Sequence, residues 1–540
     1  MGLGSVFGKT LRDSRGAMLV VLGLLGVMVA AGGGTMASTY GTPEARAGLA
    51  ALTAAIPPSL RGLYGDAVNV DTLGGFISWH YASYFALIAG LWSILALSST
   101  LAEEARRGSL DLVVTTARSR RRIVVEKVGA HIAALALVSA ALGAVAWATA
   151  LAVALSARDE IGPGAAAGFA VGMVVRTLVA GSIAFALSPV LGRGASAGMA
   201  GAIMVGGYVV HGYRSVVPAF DTLDRLTWWS WTAGHSPLAG SVNWGGIAVT
   251  AAVAVVLLAV GAELFARRDI GVTGTSRVPT LPGRLLGVRG QVSRSTGEVL
   301  PMAVWWGVGL GLYGAVMAAA SNSLLDLLAD SPAIAAAFKT MIPGIDITTA
   351  AGFLQLAFAD LGFVLVGLAA ATFVGERWAD ESSGRLELLL TTPLSRARWA
   401  VDAGVASWLA TGVLTAVLAL AVAAGIASVG QDPVGPGAGT AVLALYGCAL
   451  VGVGMAAGGL LGPSAAARTV AAVAVGTFLL DTLAPILRLP DWVAQLALTT
   501  HLGEPMAGHW DPAGMAVCAT IAAAGLALGT WSLRRRDVAG

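Results

Sequence analysis

The feature that most constrains this chain is a series of apolar runs, each about 20 residues long, that recurs along its length. A helix of that length spans the hydrocarbon core of a bilayer. Only 12% of the 540 residues are charged, about half the usual fraction in soluble domains. Little polar surface therefore remains to cover a globule in water, and alternating strand patterns are absent. The sequence predicts an all-α polytopic membrane protein.

We predict twelve membrane-spanning helices, with both termini on the cytoplasmic side. With the N-terminus inside, 25 of the 33 Lys and Arg residues fall in cytoplasmic segments and seven in outer ones, while Arg176 lies within a span. This asymmetry is the one that orients helices in bacterial membranes. The approximate bounds are 17–37, 82–102, 128–155, 168–191, 195–213, 245–266, 300–321, 351–374, 403–427, 438–461, 464–485 and 512–533.

A charged segment between spans two and three occurs again between spans eight and nine. Residues 104–125 read EARRGSLDLVVTTARSRRRIVV, and residues 380–401 read DESSGRLELLLTTPLSRARWAV. The two align without a gap at an offset of 276 and are identical at nine of 22 positions. We refer to them as the first and second repeated segments.

Other features repeat as well. A Pro-x-Ala-Gly occurs at 237–240 and 505–508, and Arg-Arg-Asp follows both the sixth and the twelfth span. These pairs indicate a six-helix unit duplicated in the same orientation. The predicted domains are a first transmembrane half at 1–269, a cytoplasmic linker with an amphipathic helix near 285–299 within 270–299, and a second transmembrane half at 300–540.

Each repeated segment has too few apolar residues to cross a membrane and too many for a solvated loop. A short helix with one apolar face, flanked by charge, is suited to dock into a groove on a cytosolic partner. Alternatively, the arginines only fix topology and bind anionic membrane lipids. That alternative explains the charge but not the conserved spacing between the two copies, so docking is the preferred interpretation.

An acidic residue followed by Gly-x-Leu-Asp/Glu-Leu-Leu-x-Thr-(Pro)-x-Ser-Arg, after the second helix of a six-helix unit, resembles the coupling-helix region of type-2 ABC exporter permeases. The two fused units resemble actinobacterial permeases that export tetronasin and other polyketide antibiotics. This resemblance implies a multi-pass permease of the bacterial inner (plasma) membrane that moves hydrophobic or amphiphilic antibiotics, drugs or lipids outward. Two copies of a cytosolic ABC ATPase would drive it and would bind the ATP and Mg, with no cofactor in this chain.

By the same resemblance, the two repeated segments would transmit motion from the ATPase. The first segment departs from the family pattern at Ala117, where the second has Pro393. The residues expected to couple to the ATPase are Glu103, Glu104, Gly108, Leu110, Asp111, Leu112, Thr115, Thr116 and Arg120, with Asp380, Glu381, Gly384, Leu386, Glu387, Leu388, Thr391, Thr392 and Arg396.

The sequence offers no convincing site for other chemistry. Gly8-Lys9-Thr10 is similar to the end of a phosphate-binding loop, but position 3 is Leu where that loop requires Gly. Neither a metal site, nor a catalytic cluster, nor a nucleic-acid-binding pattern is predicted. A secondary, ion-coupled multidrug transporter remains the alternative, although such proteins more often show repeated carboxylates or broken helices at mid-membrane.

Two ionisable residues fall within predicted spans, Arg176 and Asp360. Such groups are costly in a bilayer and are usually functional or paired. We expect them to face a polar cavity. The alternative is a structural pair or a position near the membrane interface.

Overall fold

The computed structural model describes residues 5–55, 62, 65–99, 120–154, 156–215, 218–267, 290–330, 346, 348–355, 358, 360–487 and 490–536. Over these residues the chain is helical almost throughout. It divides into two compact units, Met1–Ser276 and Arg277–Gly540. The prediction of an all-α polytopic membrane protein is confirmed.

The first unit contains short helices between long ones, with single 3₁₀ turns at Ala157–Asp159 and Pro237–Ala239. Its described helices are α1 (Val6–Asp13), α2 (Arg15–Ser38), α3 (Pro43–Ala55), α4 (Leu73–Ser99), α5 (Arg120–Val153), α6 (Pro163–Leu191), α7 (Arg193–Tyr213), α8 (Pro218–Asp224), α9 (Trp228–Trp231) and α10 (Trp244–Ala266).

The second unit is built in the same manner, with 3₁₀ turns at Thr500–Leu502 and Pro505–Ala507 and two short strands, β1 (Gly503–Glu504) and β2 (His509–Trp510). Its described helices are α11 (Gln291–Asp330), α12 (Ala350–Leu354), α13 (Asp360–Ser382), α14 (Arg385–Leu390), α15 (Arg396–Ser428), α16 (Val434–Ala441), α17 (Leu443–Leu461), α18 (Pro463–Leu487), α19 (Asp491–Ala494) and α20 (Pro512–Arg535).

Within the described residues, eleven helical stretches are long and apolar enough to cross a membrane, and they correspond to all but the fifth predicted span. That span forms helix α7, whose 21 residues are sufficient in length. Its glycines and His211 lower its hydropathy, because glycine contributes no apolar side chain. The fifth predicted span is therefore a helix of membrane-spanning length that falls outside these eleven.

Several predicted boundaries differ from the structure. The second span is predicted at 82–102, but α4 begins at Leu73. The eighth span is predicted at 351–374, but α12 ends at Leu354, Gln355 and Phe358 are π-helical, and α13 continues to Ser382, so that Arg377 lies within the helix. The amphipathic helix predicted near 285–299 is, from Gln291 onward, the beginning of α11, which continues to Asp330 with Pro301 inside it. Residues 270–289 of the predicted linker lie outside the described part of the chain.

The turn before the last helix has the same geometry in both units. Ser236 and Ser241 form an antiparallel bridge across the first turn, and Glu504 pairs with His509 across the second, at the same offset of 268 as the Pro-x-Ala-Gly repeat. Gly240 and Gly508 close the two turns with φ angles of 81° and 86°. Only glycine adopts this left-handed conformation at little cost.

The region before the second spanning helix also recurs. The Thr72 hydroxyl accepts a hydrogen bond from the Gly75 N–H at 3.1 Å and donates to the Asn69 carbonyl at 2.8 Å. Thr349 does the same with Gly352 at 3.0 Å and the Asp346 carbonyl at 2.8 Å. The internal repeat is therefore structural as well as sequential, since corresponding residues make corresponding hydrogen bonds.

Glycine permits close approach between α17 and α20. A side chain at Gly452 would meet the backbone of Ala522, and one at Gly525 would meet the backbone of Gly452. Small residues at such crossings let helix backbones pack tightly in lipid, where the hydrophobic effect supplies little driving force. This packing explains part of the high glycine content of 72 residues.

Candidate functional site

The second repeated segment forms a sharp bend followed by a short helix. Helix α13 ends at Ser382, and Gly384 then adopts a left-handed conformation with φ of 70°. Its N–H donates to the Glu381 carbonyl at 3.0 Å. A residue with a Cβ would pay about 1–2 kcal/mol for this backbone conformation. Glycine therefore lets α14 begin immediately after α13.

Helix α14 has one buried and one exposed face. Leu386 is fully buried within its own unit, with no exposed surface, whereas Leu388 is 70% exposed. Glu387 is exposed beside Leu388. Of the residues predicted to dock on a partner, Glu387 and Leu388 are accessible for docking, and Leu386 instead anchors the helix to the membrane unit.

The two repeated threonines, Thr391 and Thr392, donate side-chain hydrogen bonds to carbonyl groups at the C-terminal end of α14. The Thr391 hydroxyl donates to the Leu388 carbonyl at 2.7 Å, and the Thr392 hydroxyl donates to the Leu389 carbonyl at 2.5 Å. The same two carbonyl groups also accept the backbone N–H groups of Thr391 and Thr392, at 3.3 and 3.1 Å. The Thr-Thr pair therefore has a structural role that holds the C-terminal end of α14, and both residues also remain exposed.

The repeated Ser-x-x-Arg begins the next long helix. The Ser395 hydroxyl accepts a hydrogen bond from the Arg398 N–H at 3.2 Å, and the Arg398 side chain pairs with Asp402 at 2.9 Å. In the first unit, Arg122 pairs with Glu126 at 3.1 Å. These two pairs are related by the offset of 276, so this part of the repeat encodes a helix start in both units.

A group of charged residues, three of them buried, lies at the junction of α13 and α14, and we call it the charged cluster. Arg377 pairs with Glu298 of α11 at 2.7 Å, and Glu381 pairs with the residue that follows α20, Arg536, at 2.6 Å. Asp380 pairs with Arg385 of α14 at 3.4 Å. The cluster, which consists of Glu298, Arg377, Asp380, Glu381, Arg385 and Arg536, therefore links α14 to the ends of three long helices.

Aromatic rings complete this junction. The Arg536 guanidinium lies 5.8 Å from the centre of the Trp378 ring and donates to the Gly458 carbonyl at 3.3 Å. Trp378 meets Trp399 edge to face, with ring centres 5.5 Å apart. The Arg396 side chain donates to the Arg536 carbonyl at 2.6 Å. The start of α15 and the end of α20 are thus held together beside α14.

Most of the residues expected to couple in the first unit lie outside the described part of the chain, namely Glu103, Glu104, Gly108, Leu110, Asp111, Leu112, Thr115 and Thr116. Arg120 is the first residue of α5. Shortly after it, Glu126 accepts the Val6 N–H of α1 at 2.9 Å. Arg121 pairs with Glu263 of α10 at 3.0 Å on the surface. The start of α5 therefore contacts α1 and α10 within its own unit.

Arg176 and Asp360, which were predicted to face a polar cavity, occupy different settings. Arg176 lies in the middle of α6 and donates hydrogen bonds to the loop that precedes α10, at Thr232 and His235. It also lines a cavity in the first unit. Asp360 is the first residue of α13 and follows a stretch in which Gln355 and Phe358 are π-helical, and its place at a cavity stays a prediction.

Several residues of the junction were missed by sequence reasoning. Glu298, Arg377 and Trp378 were not singled out, and Arg536 was noticed only as part of the repeated Arg-Arg-Asp. The available signal was a charged pair, Arg377 and Glu381, spaced one helical turn apart at the end of an apolar run. Their partners come from distant parts of the chain and could not be inferred from spacing.

Residues 300–534 match the model of a protein family described as the multidrug efflux system permease Rv1217c, C-terminal domain. The match spans most of the second unit, including α14 and four members of the charged cluster, and covers less than half of the chain. No curated protein matches this chain.

Proposed function

We propose that this chain is the membrane-spanning permease subunit of an ATP-driven ABC exporter of the bacterial inner membrane. It would move hydrophobic or amphiphilic compounds out of the cell, with both termini in the cytoplasm and without hydrolysing ATP itself. Eleven apolar helices and the similarity of residues 300–534 to a multidrug efflux permease support a transporter. The tetronasin-type substrate class remains an expectation from the resemblance of the whole chain.

The observation that carries the proposal is the construction of α14. It is a rigid helix of six residues that exposes Glu387 and Leu388 and is fixed at its base by the charged cluster. A partner that moves α14 would also move α11, α13 and α20, since ion pairs connect them. Such coupling requires that the partner bind two conformations of the permease differently.

We propose that two cytosolic ATPase subunits bind the two repeated segments, one each. ATP binding would close the ATPase dimer and draw the segments together, which would bias the permease outward. Leu388 and its counterpart in the first segment, Leu112, are the proposed apolar contacts. An ion-coupled transporter would need neither contact.

Co-purification tests this docking directly. The chain is expressed with a candidate cytosolic ABC ATPase, taken from the reading frame beside its own, and the ATPase retained with the permease is measured. Leu388→Asp and Leu112→Asp should each reduce the retained ATPase at least tenfold, because a charge would replace an apolar contact. Leu226→Asp is the matched control, since Leu226 is 75% exposed outside both segments.

Leu386→Asp answers a different question. Because Leu386 is fully buried, an aspartate there should damage the folding of the permease itself. Retention of the ATPase by a folded Leu388→Asp, Leu112→Asp double variant at the wild-type level would contradict the docking proposal.

A further inference from the structure

The first unit contains a cavity of about 400 Å³ between α4, α7 and the loop that joins α9 to α10. Its walls include Trp79, Tyr208 and Trp229, with Arg176 and Arg214 as the cationic residues. This volume is typical of small-molecule sites, which are mostly apolar with a few convergent polar groups. The cavity lies wholly within one unit, and none of its lining residues belongs to a repeated segment.

Arg176 is a cation without an acidic partner. Its Nε donates to the Thr232 hydroxyl at 3.1 Å, and its Nη2 donates to the carbonyl oxygens of Thr232 and His235 at 2.9 and 2.8 Å. Among the residues that the structure describes, no carboxylate lies within 4.0 Å of it. Placing an uncompensated charge in an apolar region is costly, so the site is already arranged to receive a negative group.

The other charged residues around the cavity pair with one another. Arg214 pairs with Asp66 at 3.4 Å and with Asp224 at 3.7 Å, and His211 contacts Asp224 at 2.9 Å. Burial lowers the pKa of His235, and the charge of Arg176 lowers it further, against a hydrogen bond to the backbone. The His235 ring is therefore neutral, and among the described residues that line the cavity Arg176 is a cation without an ion-pair partner.

A second polar group points to a ligand. Ser78 also lines the cavity, and its buried hydroxyl has no hydrogen-bond partner among the described residues. Buried polar groups in proteins nearly always have a partner. The Trp229 ring beside them is fixed, because its Nε1 donates to the Met204 carbonyl at 3.1 Å.

We propose that this cavity binds an amphiphile with an oxyanion head group, a carboxylate or a phosphate. Arg176 binds the head group, the Ser78 hydroxyl donates a hydrogen bond to it, and Trp79 and Trp229 contact the apolar body. A guanidinium has five N–H donors in a plane that matches carboxylate and phosphate oxygens. Export of this ligand rests on the proposed function, whereas its binding does not.

Calorimetric titration of the full chain in neutral phosphatidylcholine nanodiscs tests the site without any ATPase. The probes share a naphthalene body: 2-naphthoate, 2-naphthyl phosphate and the uncharged 2-naphthalenemethanol. The better of the two anions should bind at least about tenfold more tightly than the alcohol, and it identifies the head group. Equal affinity for all three probes would overturn the proposal.

Arg176→Gln should remove the preference for the anion, because glutamine can still reach Thr232 but has no charge. The matched control is Arg225→Gln, which removes an exposed arginine paired with Asp221 away from the cavity lining. The control should keep the preference. Anion preference that survives in a monodisperse Arg176→Gln protein contradicts the assignment.

Ser78→Ala leaves the contacts of Arg176 with the loop intact, so it remains informative even where Arg176→Gln fails to fold. It should weaken binding of the preferred anion about fivefold, the loss expected for one hydrogen bond. An unchanged affinity would remove Ser78 from the site and, together with an unfolded Arg176→Gln, would overturn the proposal. Because binding is measured on the permease alone, either result leaves the docking proposal standing.

Discussion

At the residue scale, buried charge distinguishes the end of α13 from an ordinary helix end. Arg377, Asp380 and Glu381 are all buried, and each has an oppositely charged partner. A buried ion pair stabilises a protein weakly while it is complete, but removing one partner is strongly destabilising. The charged cluster should therefore be more sensitive to single substitutions than the exposed ion pairs of the same unit.

We predict that Arg377→Met lowers the stability of the protein by about 3 kcal/mol, because it removes the buried cation beside Glu298 and the buried Asp380. Arg294→Met is the control, since Arg294 pairs with the same Glu298 at 3.2 Å but is 37% exposed. The Arg294→Met control should lower the free energy of unfolding by less than about 1 kcal/mol. Thermal unfolding in detergent compares the two, and equal losses would contradict the distinction.

We predict that Gly458→Ala destabilises the permease by about 1–3 kcal/mol, because the new methyl group would overlap the Trp378 indole ring. Displacement of Trp378 would also disturb Arg536, which lies over that ring. Gly412→Ala is a matched control, since it is also within a spanning helix and has open space around it. It should unfold at the wild-type temperature or slightly above it.

Sequence spacing alone could not separate docking residues from packing residues. Asp380, Glu381, Leu386 and Leu388 belong to one repeated pattern, yet only Leu388 among them is exposed. A duplicated segment keeps both the residues that dock on a partner and the residues that pack the helix against its own unit. A repeated pattern therefore does not distinguish the two roles. The separation required the partners of each side chain, and those come from α11, α14 and α20.

At the element scale, α14 depends on its two ends. Gly384 begins it after a left-handed turn, and the hydroxyls of Thr391 and Thr392 donate to carbonyl groups in its last turn. A helix of six residues is unstable in isolation. Its order therefore depends on these ends and on the burial of Leu386.

We predict that Gly384→Ala loosens α14, since a Cβ in this left-handed conformation costs about 1–2 kcal/mol while the space around it is open. Trypsin should then cleave after Arg385 several-fold faster, measured by mass spectrometry of the fragments. Gly384→Asn is the control, because asparagine tolerates this conformation better. Equal cleavage of Gly384→Ala and wild type would show that the turn does not hold the helix.

The existence of the helices could be predicted from the apolar runs, but their ends could not. The run at 351–374 does not show that Gln355 and Phe358 are π-helical or that α13 reaches Ser382. Hydropathy ends where charge begins, yet Arg377 and Glu381 are charged residues buried inside the helix by their partners. Tertiary ion pairs therefore extended the helix beyond its apolar run.

At the scale of the whole molecule, the two units have matching turns but different charged residues at equivalent positions. The turns before the second and last helices of each unit form equivalent hydrogen bonds. At the offset of 276, however, Arg377 corresponds to Leu101 and Glu381 to Ala105. The two repeated segments are therefore not electrostatically equivalent, and variants in the two need not have equal effects on transport.

The central claim is that another protein drives this permease with ATP through the repeated segments. Uptake of the dye Hoechst 33342 into inverted membrane vesicles, with the permease and its candidate ATPase co-expressed, measures it most directly. We predict uptake that requires ATP, persists with a protonophore, falls at least tenfold in Leu388→Asp and is unchanged in Leu226→Asp. Uptake that proceeds without the ATPase and collapses with the protonophore would contradict the account and identify an ion-coupled transporter.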